Sequence, residues 1–563
     1  MATIEKWEHL QFAKTEAEVF HLQQRIFRQS KNGKRKQVHK LQKLLVSSHA
    51  ARCLAVKLVT ERNVGRDTAG IDGVKSLTDQ QKLQLSEVLN LNRVPSPVKR
   101  VWIPKPGQTE KRPLGIPTMF DRAQQALIAL ALEPEWEARF TAGTYGFRKG
   151  RGAHDALVNI RSAIQFKPKW VLDADIEKFF DRVNHGALLA KLETFPQMEA
   201  AIRRILKSGI LEGSVLLSAE EGTPQGGPLS PLLANIVLQG LETDLTLASQ
   251  EWKLHDGRRP KHPPRIALYA DDFVVLHESR EVILKSEEYI GNWLQGMGLN
   301  LHPKKTRVVH TLEGDAGNAG FDFLGHRIQQ FRTGKYAVKS CFRQIYTHIK
   351  PSPTAQKRIY RKVSDAINLM LSGPASRDDE RVQILIWRLN PLIRGWALYF
   401  NRCNAKQVFT RLDYVIWWKI WKALRRRYKT QGHAWIVETF LRDKEDKWCL
   451  RYYDSSSKKE GRLLRFAETP ITRHFPVQGS KSYYDGDWPY WSARRGAYPG
   501  LPPRVGRLMK AQRGRCRKCG VTMDMLDQVE VRPFKTGGTV AKTEMSLVHT
   551  SCATEARSRQ TGG

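Results

Sequence analysis

Short apolar runs alternate with helix-like stretches between about residues 95 and 345. Two of these runs, 266–268 and 273–276, flank the polar tip Tyr269-Ala270-Asp271-Asp272. Runs of this length around a tight acidic centre predict a β-hairpin that presents two carboxylates at its tip. Apolar residues recur near helical spacing over residues 1–65 and 350–430. The pattern therefore predicts helical segments on both sides of a mixed central domain.

A second acidic segment lies upstream of the hairpin, where an apolar stretch leads into Asp173 and Asp175, followed by Asp181. The apolar start predicts a strand and the continuation a helix, so Asp175 is placed at a strand end where it can meet the hairpin tip. Crowded carboxylates repel one another unless a cation lies between them, and hard divalent cations prefer oxygen ligands. Two such cations about 4 Å apart can hold the attacking and leaving oxygens of a phosphoryl transfer. We predict Asp175 and Asp271 as the main ligands of two Mg²⁺ ions, Asp272 as a looser one, and structural roles for the other two.

A loop rich in glycine and proline, Gly-Thr-Pro-Gln-Gly-Gly-Pro-Leu-Ser-Pro, lies between the two acidic segments at 222–231. Its glycines permit close approach of the backbone to a ligand, and an apolar helix is predicted to begin at Ser230. Gln225 in this loop is predicted to reach an incoming nucleotide or template. Such a loop alone does not identify a class of protein. Its position in order with the two acidic segments is a specific signal.

The chain is strongly basic, with 93 Lys and Arg against 56 Asp and Glu in 563 residues and a net charge of +37. The excess extends along the whole chain and indicates a polyanionic partner bound with strong salt dependence. No run is apolar enough to span a bilayer, so we expect no membrane partner. The N-terminal sequence has neither a secretory h-region nor a transit-like pattern, and the cysteines are mostly single. These features favour a reducing compartment, and we expect a bacterial cytoplasm.

One predicted helix carries Lys419, Lys422 and Arg426 on a shared face, beside the aromatic run 417–421. Basic and aromatic side chains together fit a groove that binds an RNA or DNA backbone. The alternative is a solvated basic face over an aromatic core stripe. We predict that these three residues bind RNA.

Taken in order, these motifs resemble those of reverse transcriptases encoded by group II introns, which combine reverse transcriptase and maturase activities. The resemblance covers nearly the whole chain, with an N-terminal extension motif at 68–74, fingers motifs at 101–106 and 111–117, a further block at 145–151, closing palm motifs at 299–306 and 323–325, and a maturase thumb motif, domain X, at 389–399.

The resemblance implies an α+β fold of the right-hand polymerase type. Fingers and a palm with an antiparallel sheet are expected, together with an α-helical thumb and a small C-terminal zinc-binding module. The implied domains are an N-terminal extension with the start of the fingers (1–95), fingers and palm (96–345), thumb or domain X (346–430), a DNA-binding region (431–505) and an HNH-like zinc module (506–563).

The resemblance also implies roles for single residues beyond the catalytic metal ligands. Lys105 and Arg112 correspond to fingers residues that contact the triphosphate, and Lys305 lies in a closing palm motif and is expected to bind nucleotide. Phe180 matches the position that crowds the sugar 2′ carbon, so dNTPs are the expected substrates; an ordinary core Phe is the alternative. Gln225 matches the residue near the 3′ end of the nucleotide sugar.

Two short motifs near the C-terminus, Cys516-x-x-Cys519 and His549-x-x-Cys552, supply four soft ligands. Ligands paired in this way fit a closed tetrahedral Zn²⁺ site, and unpaired thiols in a basic tail are the alternative. We predict a structural zinc at these four residues.

This C-terminal segment is similar in outline to an HNH-type endonuclease domain but departs from it where hydrolysis needs a base. Val531-Arg532 occupies the place of the family's Asp-His pair, and Cys552-Ala553 replaces a Cys-His step. Without an imidazole near neutral pKa, phosphodiester hydrolysis has no evident base. We therefore predict a zinc-stabilised, DNA-binding remnant of the endonuclease domain with little or no nuclease activity.

The function implied by the resemblance is that of an RNA-directed DNA polymerase and maturase. Such a protein binds a group II intron RNA, assists its splicing and copies it into cDNA during retromobility at a target DNA. The alternatives are a splicing-only maturase, a domesticated reverse transcriptase of retron or CRISPR-associated type, and an RNA-templated RNA polymerase. The intact acidic motifs argue against the first, domain X and the zinc-like tail against the second, and Phe180 against the third. Oligomeric state stays open.

Overall fold

The structure is a computed structural model that describes residues 6–553 apart from 105–110, 214, 218–220, 223–225, 315–318, 334–344, 372–377, 442–448, 455–458, 526 and 537–541. Two predicted site residues, Lys105 and Gln225, lie outside the described residues. No helix in the described part of the chain is long and apolar enough to cross a membrane.

The N-terminal region is helical, as its apolar spacing predicts. Val19 and Ile26 of the first helix and Val38 and Leu45 of the second are all buried in one hydrophobic core. The α-helices of this region are α1 (Phe12–Lys31), α2 (Arg35–Ser47), α3 (His49–Lys57) and α4 (Asp79–Val88).

The central region alternates strands and helices. Its elements are β1 (Val98–Pro104), β2 (Lys111–Ile116), α5 (Met119–Glu137), α6 (Ala153–Ile164), β3 (Trp170–Asp175), α7 (Phe179–Arg182), α8 (His185–Leu192), α9 (Pro196–Leu206), β4 (Ile210–Glu212), β5 (Val215–Leu217), α10 (Ser230–Leu238), α11 (Leu241–Glu251), β6 (Arg265–Tyr269), β7 (Asp272–His277), α12 (Arg280–Gln295), β8 (Arg307–His310), β9 (Phe321–Phe323), β10 (His326–Arg332) and β11 (Ile345–Pro351).

Three sheets organise this region. One has the strand order β2-β1-β4-β5, a second β6-β7-β3-β8 and a third β11-β10-β9. Every pairing in the second sheet is antiparallel, which confirms the predicted antiparallel sheet and the α+β class. Leu172 and Ala174 of β3 contribute to the core shared with the N-terminal helices, whereas Val171 contributes to a second core. This alternation buries both faces of the second sheet and fixes its register.

Three long helices follow: α13 (Pro353–Leu371), α14 (Asp378–Phe400) and α15 (Lys406–Arg427). Their core continues past the predicted domain boundary at residue 430, because Ile436, Phe440, Leu450 and Phe466 join the same hydrophobic cluster. The cluster includes residues of a one-turn helix, α16 (His433–Ile436), and contacts the hairpin of β12 (Arg451–Asp454) and β13 (Lys459–Arg462).

The segment 470–495, here called the strap, leaves the three-helix region and returns to the N-terminal helices. It has no regular structure before α17 (Trp488–Arg495). Its residues Tyr484 and Trp491 are buried in a cluster with Phe20 and Phe27 of α1. The strap is followed by α18 (Pro503–Ala511) and the antiparallel hairpin of β14 (Val529–Thr536) and β15 (Lys542–His549).

Candidate active site

The predicted catalytic aspartates lie together at one end of the β6-β7-β3-β8 sheet. Tyr269 pairs with Asp272 at the close of the β6–β7 hairpin, so Ala270 and Asp271 form a two-residue turn as predicted. Ala270 takes a φ of +57°, the left-handed conformation that such turns require. Asp272 is also the cross-strand partner of Asp175 on β3. Asp175 therefore faces the hairpin tip.

The segment 143–147 holds the hairpin in place. The Tyr145 backbone N–H donates to the Leu268 carbonyl at 2.9 Å, and the Leu268 N–H donates to the Gly143 carbonyl at 2.8 Å. Gly146 passes so close to the turn that a Cβ atom there would lie 2.5 Å from the backbone nitrogen of Ala270. Only glycine fits at position 146 without moving the turn.

Neighbouring carboxylates destabilise the charged forms of Asp271 and Asp272. Burial, followed by the charges of Asp271 and Asp175, raises the pKa of Asp272 to about 7. Burial and the charge of Asp175 also raise the pKa of Asp271, although Arg112 and Lys305 act in the opposite direction. Three crowded oxygen ligands at one edge are the donor set that Mg²⁺ binds, so these residues fit the predicted cation sites.

Two basic residues, one in the turn before β8 and one at the start of β8, contact this acidic edge. Lys305 forms an ion pair with Asp175. Arg307 is the cross-strand partner of Asp173 and donates two hydrogen bonds to it, at 2.9 and 2.8 Å. Asp173 is thus paired within the protein, in agreement with its predicted structural role.

A cleft of about 880 Å³ opens in front of this edge. Asp175 and Asp271 line it together with Arg112 from β2, Phe180 and Lys305. The structure thus brings five predicted site residues around one space large enough for a nucleotide. The roles of these five residues in the reaction stay predictions.

Phe180 and its neighbour Phe179 differ in exposure. Phe179 is buried in the core, and the two rings meet edge to face at 5.3 Å. Phe180 is only partly buried and lines the cleft. Its position fits the predicted contact with a nucleotide sugar.

The glycine-rich loop meets the fingers strand β2. Gly226 has a φ of +117°, and a Cβ atom there would lie 2.6 Å from the carbonyl oxygen of Gly115. The close approach at this glycine is therefore to another part of the chain. The predicted helix after the loop is confirmed, since α10 begins at Ser230.

The sequence motifs predict no role for two aromatic residues that line the cleft. Phe147 takes a φ of +56° and is 54% exposed in the cleft. Trp102 lines the cleft on β1 and donates from Nε1 to Glu212 Oε1 at 2.7 Å. Both lie inside motifs on which the resemblance depends, but their exposure follows from tertiary packing, which a single sequence does not display.

Comparison with known protein families matches three successive parts of the chain. Residues 7–89 match the N-terminal domain of reverse transcriptase, and residues 103–328 match the reverse transcriptase (RNA-dependent DNA polymerase) family. Residues 357–441 match the group II intron, maturase-specific domain. The chain belongs to the group II intron-encoded reverse transcriptases. It is an RNA-directed DNA polymerase with a maturase domain for group II intron RNA.

Individual proteins agree with this family. The chain is 30% identical to Protein YkfC of Escherichia coli (strain K12) over 322 residues, which are 51% of this chain and 83% of YkfC. It is 35% identical to the group II intron-encoded protein LtrA of Lactococcus lactis over 187 residues, 32% of this chain and 31% of LtrA. Maturase-like protein 1 of Euglena gracilis is 28% identical over 411 residues, 70% of this chain and 78% of that protein.

The predicted RNA-binding residues of this reverse transcriptase lie on α15, inside the maturase-specific match. Ile416 and Ile420 face the core, whereas Lys422 and Arg426 are exposed and Lys419 is partly buried. The helix thus presents the three cations away from its core face. None of them is among the described residues that line the cleft.

The predicted zinc ligands come together. One ligand atom from each of Cys516, Cys519, His549 and Cys552 lies within 4.8 Å of the others, so this group could hold a metal ion. Burial raises the pKa of the Cys516 thiol, but hydrogen bonds from backbone N–H groups outweigh this and lower it to about 6. Three sulfurs and one imidazole are a donor set that suits Zn²⁺.

Sequence reasoning missed one residue of this group. Asp527 Oδ2 lies 3.2 Å from His549 Nε2, while His549 Nδ1 lies 3.4 Å from Cys519 Sγ. A carboxylate that accepts a hydrogen bond from the outer ring nitrogen fixes the orientation of a metal-binding histidine. Asp527 lies outside both ligand pairs in the sequence, so nothing marks it before the fold is known.

Arg532, which is predicted to replace the base of a nuclease, lies on β14 and donates to Glu530 Oε2 at 2.7 Å. A guanidinium stays protonated near neutral pH and cannot remove a proton from water. This arrangement agrees with the predicted loss of hydrolysis, which stays a prediction.

Proposed function

We propose that this protein copies its intron RNA into cDNA at the cleft and assists splicing of that RNA through its maturase domain. The observation that supports the polymerase proposal is the cross-strand placement of Asp175 and Asp272 beside Asp271, at the edge of a cleft lined by Arg112. A splicing-only protein has no use for three carboxylates crowded at one edge of a sheet.

In this proposal Asp175 and Asp271 hold two Mg²⁺ ions, with Asp272 as a looser ligand. Bound Mg²⁺ neutralises phosphate charge and lowers the pKa of the primer 3′ hydroxyl. Arg112, projecting from β2 into the cleft, receives the triphosphate, and Lys105 is proposed for the same task. Lys305 pairs with Asp175 in the structure. Once cations bind Asp175, Lys305 can contact the nucleotide instead.

The choice between dNTPs and rNTPs follows from the part of the cleft that would receive the nucleotide sugar. Phe180 projects into the cleft with its ring held by Phe179, so a ribose 2′ hydroxyl would meet it. The incoming nucleotide is therefore a dNTP. Gln225 is proposed to lie near the 3′ end of that sugar.

The maturase function is proposed for the three-helix region, which corresponds to the thumb. Lys419, Lys422 and Arg426 on α15 neutralise phosphates of the intron RNA, and the exposed rings of Tyr414 and Trp418 on the same helix supply stacking surfaces. Splicing chemistry belongs to the RNA, and the protein stabilises its folded form.

The C-terminal parts are proposed to bind target DNA during retromobility. This role is assigned to the region 431–505 and to the module 506–563. In that module Cys516, Cys519, His549 and Cys552 hold a structural Zn²⁺, and the module does not cleave DNA. A bacterial cytoplasmic location is also proposed, in line with YkfC and LtrA, which are bacterial proteins.

The variant Asp271→Asn separates the two activities. It should abolish cDNA synthesis, yet leave intron RNA affinity and splicing assistance within about twofold of the wild type, because the α15 face lies outside the cleft. Loss of both activities together would contradict the proposed division. Intact cDNA synthesis by the variant would remove Asp271 from the catalytic set.

A further inference from the structure

The start of α6 joins the polymerase to the strap through one buried carboxylate. Asp155 is only 3% exposed. Its Oδ1 accepts hydrogen bonds from the Val477 backbone N–H at 2.8 Å, from Arg494 at 2.7 Å and from His474 at 3.1 Å. Its Oδ2 accepts from the Gly152 N–H at 2.9 Å, which caps α6. One side chain thus ties three points of the strap to the palm.

His154, the residue before Asp155, contacts the three-helix region. The ring Nε2 of His154 lies 2.6 Å from the Tyr399 carbonyl, near the end of α14. The strap begins at the same place, because the Thr472 N–H donates to the Asn401 carbonyl at 2.9 Å. The end of α14, the start of the strap and the start of α6 therefore form one junction.

Further contacts anchor the middle of the strap. Arg151 donates to the Gly479 carbonyl at 2.7 Å, and Lys149 donates to the Tyr484 hydroxyl at 2.7 Å. Trp491 is fully buried in the cluster that includes Phe20 of α1. The strap therefore leads from the three-helix region to the N-terminal helices, with Asp155 holding residues near both of its ends.

The charge at this junction is balanced. Burial alone would raise the pKa of Asp155, but the hydrogen bond from His474 and the charge of Arg494 outweigh it and lower that pKa. The carboxylate is therefore charged when it binds the strap, and hydrogen bonds to a charged group are the stronger kind.

We propose that Asp155 is a positioning residue that locks the strap onto the palm and so holds the three-helix thumb against the primer–template duplex. A thumb held in this way keeps the duplex bound between successive additions. Asp155 is not among the described residues that line the cleft, so it sets the length of cDNA made in one binding event and leaves the rate of a single addition unchanged.

The test compares two measurements on the full-length protein, and it rests on the polymerase activity proposed above. One is the length of cDNA made on an RNA template with a heparin trap that allows one binding event. The other is the single-turnover rate of one dNTP addition at saturating dNTP. If the wild type adds no nucleotide at all, the proposed function fails; the strap proposal is judged on variants of an active enzyme.

Asp155→Asn keeps the cap of α6 but removes the charge that binds Arg494 and His474. We expect product length per binding event to fall roughly fivefold, because charge-assisted hydrogen bonds are lost. The single-addition rate should stay within about twofold of the wild type. An unchanged product length, or a parallel fall of both quantities, would overturn the proposal.

Arg494→Gln removes the same ion pair from the strap side and leaves the palm core unchanged. It should shorten the product as Asp155→Asn does, and the double variant should be no worse than either single variant. Additive losses would overturn the proposal, since the two residues would then act separately. Arg161→Gln, which removes an exposed guanidinium from α6 away from the strap contact, is the matched control and should behave as the wild type.

Discussion

Asp175 and Asp272 are direct cross-strand partners on β3 and β7, which places Asp272 beside a carboxylate that lines the cleft. This pairing has an energetic cost in the metal-free protein, because the charges of Asp271 and Asp175 act against the charged form of Asp272. Cations bound at these residues, as proposed, would offset this cost. Stability, metal binding and catalysis would then be linked at the same residues.

The first expected consequence is a pH-dependent stability of the metal-free protein. The pKa of Asp272 is raised from 3.8 to about 7 by burial and by Asp271, so between these values the folded state binds more protons than the unfolded chain. The free energy of unfolding therefore falls as pH rises through this window. Thermal unfolding in EDTA should show a steeper loss of Tm toward pH 8 for the wild type than for Asp272→Asn.

Addition of Mg²⁺ should reverse this loss at about pH 8 and have little effect at about pH 5, where the carboxylate is protonated. Asp272→Asn should show a smaller Mg²⁺ response at the higher pH. Parallel Tm curves for the two proteins in EDTA would argue against the raised pKa.

A second prediction concerns the sugar contact. Phe180→Val should raise the efficiency of ribonucleotide addition relative to dNTP by at least about tenfold, because the ring that meets the 2′ hydroxyl is removed. The measurement is kcat/KM for each nucleotide on one primer–template. Phe179→Leu, which alters the buried neighbour, is the matched control and should change stability but not selectivity. Relaxed selectivity in that control alone would assign the role to Phe179.

A third prediction concerns the cationic face of α15. Reversing Lys419, Lys422 and Arg426 to Glu should weaken binding of intron RNA and reduce the slope of log affinity against log salt by about 2, since fewer counterions are released. Filter binding over a range of salt concentrations measures both quantities.

The control for this experiment reverses three exposed cations in the loop before β6, namely Arg258, Arg259 and Lys261. This variant has the same net charge as the α15 variant. If both lose equal affinity, overall charge rather than the α15 face governs RNA binding.

A fourth prediction concerns the C-terminal ligands. Cys519→Ser should abolish stoichiometric zinc, and Asp527→Asn should weaken zinc affinity about 10–100-fold because His549 loses its orienting partner. Competition with a chromogenic chelator measures the affinity. Glu544→Gln removes an exposed carboxylate from the same hairpin and should leave zinc affinity unchanged. A full zinc affinity in Asp527→Asn would show that this carboxylate does not orient the ligand.

Local features of this protein follow from the sequence. The β6–β7 hairpin and α10 were predictable because strand length, turn residues and the helix start are encoded within a few neighbouring residues. The grouping of Cys516, Cys519, His549 and Cys552 was predictable for a related reason, since metal coordination restricts both residue type and spacing. The meeting of Asp175 with the hairpin tip was predictable through the order of the motifs.

The strap was not predictable in the same way. Asp155 and Arg494 are 339 residues apart, and residues 470–487 have no hydrophobic period that would indicate where they dock. The resemblance assigned this region only to a DNA-binding segment, whereas Tyr484 and Trp491 are buried against α1. Their burial depends on tertiary contacts between distant segments, which local patterns do not encode. The DNA-binding role of 431–505 stays a prediction.

The most direct test of the account is primer extension by the purified protein on an RNA template with Mg²⁺, with dNTPs or rNTPs, beside Asp271→Asn. We expect extension with dNTPs, little with rNTPs, and none by the variant, because Asp271 lies at the cleft edge with Asp175. Tight binding to structured RNA without extension by the wild-type protein would contradict the polymerase assignment and favour a splicing factor.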